Sequence, residues 1–276
     1  MTTPLLLVDG HYLLHRSWFG FAASRVTTRD KMIDRTGVFG FSALLRKAQA
    51  QHADGFEIFV VFDSEDGSRA RARQDSDYKA QRPAPETGLV ASLALVKNAL
   101  AHMGVQWVEQ DGCEADDVIA TLTTIARAEG RAVDIMTTDK DYIQLLVDPD
   151  VRLLNTALAQ GRRYTASEHI RPRYGVLAEQ WPDFRALMGD PADNISGVRG
   201  IGAKTAARLL IDGRRLESIP VEELRPAWTA LWPEVLRWRE MIKLDTKAAV
   251  PDDILTTVPS APLEPAAHVL EVLDLW

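Results

Sequence analysis

The chain has 276 residues, 46% of them hydrophobic and 26% charged, enough for one large domain or a full domain with a smaller companion. No apolar run is long enough to span a bilayer, the opening residues through Val8 do not read as a signal peptide, and the single Cys113 excludes an internal disulfide framework. A cytoplasmic protein with no membrane partner is the expectation. The formal net charge of −7 would speak against a nucleic-acid partner if the acids were evenly spread, but without the nine carboxylates discussed below the chain is net positive.

Residues 5–8 (Leu-Leu-Leu-Val) form the first run of strand length, followed by a helical stretch at about 38–50 and a second strand at 57–62 (Glu-Ile-Phe-Val-Val-Phe). Residues 64–88 are rich in Arg, Asp, Gln, Ser and Pro and poor in large aliphatics, so this segment cannot build a core of its own and is expected to be mobile. Helices are predicted at 88–102 and 114–128, the latter with Ala115, Val118, Ile119, Leu122, Ile125 and Ala126 at helical spacing. Residues 132–137 form another strand, and 105–108 and 151–154 are weaker ones. Strand and helix alternating in this way predict an α/β fold with a twisted, mostly parallel sheet covered by helices. Beyond about residue 165 only helices are predicted, at 176–188, 203–211 and 226–242, before a proline-rich, extended stretch at 250–265.

The informative feature is the placement of the acids. Asp9 follows the first strand, Asp63 the second, and Asp139 with Asp141 the strand at 132–137. In a parallel sheet these positions converge at the carboxyl edge, where open α/β sheets place their sites. Each Asp alone reads equally well as a helix cap or turn residue. Glu114, Asp116 and Asp117 open a helix, where acids also complement the dipole; on ideal geometry Glu114 and Asp117 share a flank and Asp116 points away. Asp190 and Asp193 lie in Gly189-Asp-Pro-Ala-Asp-Asn194, which also suits a capping turn. Nine carboxylates in one crevice would repel strongly unless cations neutralise them. Hard oxygen donors select Mg²⁺ or Mn²⁺, and two such ions are the usual apparatus for in-line displacement at phosphorus.

Residues 195–210 carry Gly197, Gly200 and Gly202 in a tight turn whose backbone N–H groups open toward solvent at a helix start. Lys204 stands in the first helical turn, where it opposes the dipole, so an external anion is the better explanation for it. The run Gly-Val-Arg-Gly-Ile-Gly-Ala-Lys-Thr-Ala is a highly specific helix-hairpin-helix signature.

With Val8-Asp-Gly10 and Arg16, Val60-Val-Phe-Asp63, Tyr78-Lys79 and Arg82, Glu114-Ala-Asp-Asp117, Thr138-Asp-Lys-Asp141, Gly189–Asn194 and the glycine turn in this order, the chain resembles the 5′-nuclease family. That family comprises the flap endonucleases and the 5′→3′ exonuclease domain of bacterial DNA polymerase I, and the resemblance extends to about residue 255. It implies a PIN-like catalytic core over 1–165 with a helical arch at about 64–97. A helix-three-turn-helix DNA-binding domain with a C-terminal extension would occupy 166–276. It implies one ion held by Asp63, Glu114, Asp116 and Asp117 with Asp9 nearby, and a second by Asp139, Asp141, Asp190 and Asp193. Lys79, Arg82 and Arg16 would hold the scissile phosphate. Tyr78 would contact the DNA, and the glycine turn would grip the duplex, with K⁺ in its hairpin. Arg69, Arg71 and Arg73, which depart from the family pattern, form an arginine comb that still suits a single-stranded 5′ end.

The implied activity is structure-specific flap endonuclease and 5′→3′ exonuclease cleavage of nicked or branched DNA in primer removal and repair. The product carries a 5′-phosphate. RNA–DNA hybrid is a further expected substrate, and a monomer of bacterial type, associated with the nucleoid, is expected. Two departures stand out. Ala70 and Asp75 replace the aromatic residues usual ahead of Tyr78-Lys79, and no polymerase follows, which points to a stand-alone nuclease. A ribonuclease on a similar fold is disfavoured by the glycine hairpin. A silent DNA-binding protein is disfavoured by the intact acids. His11, His15, Trp228, Trp232, Trp238 and Cys113 are assigned to packing or surface positions.

Overall fold

The computed structural model describes residues 2–29 and 31–276. Six strands, β1 (Leu5–Asp9), β2 (Glu57–Phe62), β3 (Gln106–Glu109), β4 (Val133–Met136), β5 (Val151–Leu154) and β6 (Tyr164–Thr165), form one sheet in the order β3-β2-β1-β4-β5-β6. All pairings are parallel except β5 with β6. The central strands are buried on both faces, so they read as continuous apolar runs.

The period-2 alternation of each strand divides the core between the two faces. Leu5, Leu7, Phe59, Val61, Val133 and Ile135 point toward α5 (Ala115–Ala128) and the C-terminal helices. Leu6, Val8, Ile58, Val60, Phe62 and Met136 point the other way. There they meet α1 (Gly10–Gly20), α2 (Thr36–His52) and α4 (Thr87–His102). Between β2 and α4 the segment predicted to be coreless holds a six-residue helix, α3 (Arg69–Gln74), with no buried residue.

The helical part consists of α6 (Ile170–Tyr174), α7 (Trp181–Met188), α8 (Ala203–Leu209) and α9 (Pro226–Ile242). Helices α7 and α8 flank the glycine turn, and α9 packs on α7. Trp228 and Trp238 are buried there and Trp232 half-buried, in the packing role expected of them. Helices α1, α3, α6 and α10 lie outside the stretches read as helical, and two of them shape the first half of the molecule. The first, α1, follows directly on Asp9, whose Oδ1 accepts the Tyr12 N–H as an N-cap. The second, α10 (Ala266–Val272), ends an extended return of the chain to the first half of the molecule. Ser260 pairs with Phe56 and Ile58, Gln49 binds Ala261 and Leu263, and Leu263, Val269 and Leu270 join the core beneath α2. Glu57, buried beside Arg131, accepts the N–H groups of Thr256 and Thr257. No helix among the described residues is long and apolar enough to cross a membrane.

Candidate active site

The parallel strands deliver their terminal acids to one edge. Asp9 Oδ2 accepts the Thr137 hydroxyl at 3.1 Å, which ties the end of β1 to the end of β4. Burial, reinforced by Asp63 and Asp139, raises the Asp9 pKa to about 7. Asp63 Oδ1 accepts the Ala115 N–H at 2.7 Å, which fixes the start of α5 against the end of β2. The Asp63 N–H donates to His11 Nδ1 at 3.1 Å, so His11 touches the site instead of standing aside from it. Asp139 and Asp141 are locked by a chain of local bonds: Asp139 N to Thr137 Oγ1 at 3.1 Å, and Asp141 N to Asp139 Oδ1 at 2.9 Å.

The glycine-turn side closes the crevice. Asp141, Asp190 and Asp193 each present a ligand oxygen, all within 4.8 Å of one another. Burial, with Asp139 and Asp190 adding repulsion against the attraction of Arg185, pushes the Asp141 pKa to about 8. Burial likewise raises Asp193, partly offset by Lys79. Three inward-facing carboxylates at this separation, two of them driven toward the neutral form, are a donor set suited to a hard divalent cation.

On α5, Glu114 occupies the N-cap position and both its oxygens are engaged. Oε1 takes Lys79 Nζ; Oε2 takes Arg71 Nη1 and, at 3.0 Å, the Tyr78 hydroxyl. Arg71 Nη2 donates to Asp117 at 2.7 Å and Nη1 lies 3.7 Å from Asp116. Asp116 is raised well above the ordinary carboxylate range, first by burial and then by Asp117 and Glu114, with Arg71 opposing. One guanidinium thus gathers all three acids, which helical geometry alone would have kept apart. The donor set of this half also fits a cation, since it holds one of the protein's own.

The Tyr78–Arg82 segment is fastened to the Asp190–Asn194 turn. Lys79 N donates to the Asp193 carbonyl at 3.2 Å, and Arg82 Nη2 reaches Asp193 Oδ1 at 2.9 Å. Lys79 adopts a left-handed backbone with φ 56°, and its ammonium lies 3.8 Å from Asp193. Burial works against that charge, yet Asp193 and Glu114 hold the Lys79 pKa above its ordinary value. Arg16 turns to Thr156 and to the Tyr12 hydroxyl at 3.4 Å. Of the three alternating arginines, Arg69 and Arg73 are exposed and Arg71 faces inward.

Gly197 has φ 65° and packs so tightly on the Met188–Gly189 backbone that a Cβ would lie 2.3 Å from Gly189 N. Gly200 and Gly202 face open space, and Lys204 is exposed beside them.

Sequence reasoning missed Thr137, Arg185 and Trp181. Arg185 ion-pairs with Asp190 and lies 3.7 Å from Asp141, while Trp181 Nε1 donates to Asp141 at 3.4 Å. Thr137, two residues before Asp139, carried a readable Asx/ST-turn signal. Arg185 carried none, because nothing in its local pattern fixes which acids it meets. Nine acids do not by themselves demand external ions, since Arg71, Lys79, Arg82 and Arg185 already offset part of the charge.

Comparison with known proteins places this geometry. Residues 4–175 match the family described as 5′-3′ exonuclease, N-terminal resolvase-like domain, and 176–259 match 5′-3′ exonuclease, C-terminal SAM fold. A thermostable DNA polymerase I of Thermus thermophilus is 42% identical over 217 residues, covering 78% of this chain and 25% of that protein. DNA polymerase I of Mycobacterium bovis is 34% identical over 217 residues, covering 78% and 24%. The chain thus spans about a quarter of the length of these relatives. T5 5′-exonuclease with bound zinc superposes with a TM-score of 0.65 at 22% identity, covering 99% of each chain. The catalytic core of Rad2 in complex with DNA substrate gives 0.55 at 15%, covering 99% of this chain and 93% of that one. These two likenesses speak to the fold. On the family matches and the polymerase relatives, the chain belongs to the 5′-3′ exonuclease family, a family of DNA-hydrolysing nucleases.

Proposed function

We propose that this chain is a structure-specific 5′-nuclease, cutting the DNA backbone at 5′ flaps and degrading 5′→3′ from nicks with two divalent cations, Mg²⁺ or Mn²⁺. The observation that carries the reading is the meeting of strand-end, α5 and glycine-turn carboxylates directly beneath Lys79 and Arg82. One of the similar structures is a T5 flap endonuclease complexed with DNA and metal ions.

Asp139, Asp141, Asp190 and Asp193 would hold one ion. Asp63, Glu114, Asp116 and Asp117, with Asp9, would hold the other. When bound, the ions supply Lewis-acid polarisation of the phosphoryl group and acidification of water. Lys79 and Arg82, poised above Glu114 and Asp193, donate to the non-bridging oxygens of the scissile phosphate and stabilise the charge that develops there. Arg16 adds a third cation on the α1 side. Tyr78 supports Glu114, while Arg69 and Arg73 offer an exposed basic face to a single-stranded 5′ end. In-line displacement by water breaks the P–O3′ bond and leaves a 5′-phosphate. Gly197, Gly200 and Gly202 with Lys204 present backbone N–H groups and charge to the duplex, and K⁺ held in the hairpin would add positive charge there. The catalytic core is taken as 1–165 and the DNA-gripping part as 166–276, acting as a cytoplasmic, nucleoid-associated monomer on nicked or branched DNA and on RNA–DNA hybrid.

Labelled 5′-flap DNA, nicked duplex and hairpin RNA, each incubated with Mg²⁺ or EDTA, test the reading. Mg²⁺-dependent cutting of the flap and nick, with the RNA hairpin intact, is expected. Flap binding without any Mg²⁺-dependent cleavage sinks the catalytic reading.

A further inference from the structure

Arg71 stands apart from the other cations of the site. It belongs to α3, a helix of sequence Arg-Ala-Arg-Ala-Arg-Gln that buries no residue, yet its own side chain is only 12% exposed. Each guanidinium nitrogen is engaged: Nη1 on Glu114, Nη2 on Asp117, and Nε on the Met241 carbonyl at 2.9 Å in the last turn of α9. Asp116 completes the set at 3.7 Å. These are the acids to which one divalent ion is assigned above. A guanidinium and a divalent cation cannot share the same carboxylate oxygens, because like charges at that separation repel and each needs the lone pairs the other occupies.

We propose that Arg71 is a resident counter-cation of this half of the site, displaced from the carboxylates when a divalent ion enters, and that its departure loosens α3. Rooted in the two-ion reading above, the proposal adds a coupling between ion occupancy and arch order. Six residues are far too few for an isolated helix to persist. Without Arg71's contacts, α3 keeps a C-terminal tie, where Arg237 binds the Gln74 carbonyl at 2.9 Å and Asp75 at 3.0 Å. The released guanidinium joins Arg69 and Arg73 on the exposed side, so a loaded site presents three arch arginines to phosphate where the metal-free site presents two. Linkage makes the effect reciprocal: whatever holds α3 in place weakens the ion, and the ion weakens α3.

The test uses the full chain without DNA and Mn²⁺ alone as probe. Calorimetry gives stoichiometry and affinity, and hydrogen exchange of the peptide over 69–74 reports helix opening. For the parent protein, saturating Mn²⁺ should speed exchange in 69–74 by about ten-fold or more, within the usual range of coupling between sites. In Arg71→Gln, exchange should be fast with or without Mn²⁺, and one of two Mn²⁺ sites should tighten by about ten-fold. Arg71→Lys should lie between the two, and Arg73→Gln should behave as the parent. Two Mn²⁺ bound with unchanged exchange in the parent would overturn the Arg71 role while leaving the two-ion reading standing. So would an Arg71→Gln protein that binds Mn²⁺ no tighter. No Mn²⁺ heat in the parent would overturn the two-ion reading and this proposal together.

Discussion

The guanidinium of Arg185 pairs with the Asp190 carboxylate and lies 3.7 Å from Asp141, in the half of the site opposite to Arg71. Each half of the carboxylate crevice therefore carries a cation belonging to the protein, on α7 in one case and on α3 in the other. The acids are thus partly balanced by charges of the chain itself.

Arg185→Leu removes that charge and leaves Asp141 and Asp190 facing each other. Breaking a largely buried pair by deleting one partner should cost roughly 3 kcal/mol in EDTA. Mn²⁺ should restore a large part of it, because the ion takes over the neutralisation. Urea unfolding in EDTA and in Mn²⁺ measures both. Equal stability of variant and parent in EDTA would show that Arg185 is not balancing these acids.

The pH response of the metal-free protein has a definite sign. Asp9 and Asp141 have pKa values raised to about 7 and about 8 in the folded state, against about 4 in an unfolded chain. Between those limits the folded state binds more protons, so stability falls as pH rises from about 4 and levels off above about 8. Divalent ions favour the ionised form, so ion affinity should climb over the same window with release of protons. Calorimetry near pH 7 in two buffers of different ionisation enthalpy should give different apparent heats. Identical heats would contradict raised values at these two carboxylates.

Lys79→Ala should lower kcat on a 5′-flap by roughly 100-fold, the scale of losing one positioned donor to a developing charge. Flap affinity measured in Ca²⁺ should change only a few-fold. A loss in affinity as large as the loss in kcat would make Lys79 a binding group. Asp141→Ala should abolish cleavage and leave flap binding largely intact, and full activity in that variant would refute its assignment to an ion.

Two glycines of the same turn should behave differently. Gly197→Ala forces a Cβ to within 2.3 Å of Gly189 N on a backbone with φ 65°, and should destabilise the protein markedly. Gly202→Ala meets nothing within 4 Å, so folding should be unchanged. Its methyl nevertheless stands where a duplex phosphate would approach the turn, so affinity for nicked duplex should drop. Unchanged affinity would remove Gly202 from the DNA-gripping surface.

The strand-end acids were legible because strand direction in a parallel sheet is set by the βαβ alternation, and direction alone brings Asp9, Asp63 and Asp139 to one edge. Side chains whose meaning depends on a distant partner were not. Arg71 looked like Arg69 and Arg73 because local composition does not say which face of a six-residue helix meets α5. His11 looked peripheral, although α1 carries its Nδ1 to the Asp63 N–H. The proline-rich stretch was legible as extended, but its route back to the first half was not, since it is drawn by buried acceptors such as Glu57 and Gln49 that local periodicity does not reveal.

That return path has a consequence for the order in which the molecule can fold. Its contacts join residues far apart in sequence: 199 positions between Glu57 and Thr256, 214 between Gln49 and Leu263, and 240 between Arg35 and Leu275. Loops of this span close late, because their entropy must be offset before any contact rewards it. During synthesis the acidic crevice can assemble once the Asp190–Asp193 turn has emerged, while the apolar surface beneath α2 waits for Leu263, Val269 and Leu270. The nascent chain therefore passes through an interval with its acids gathered and one flank of its core still bare, and that flank is where a chaperone would first find it.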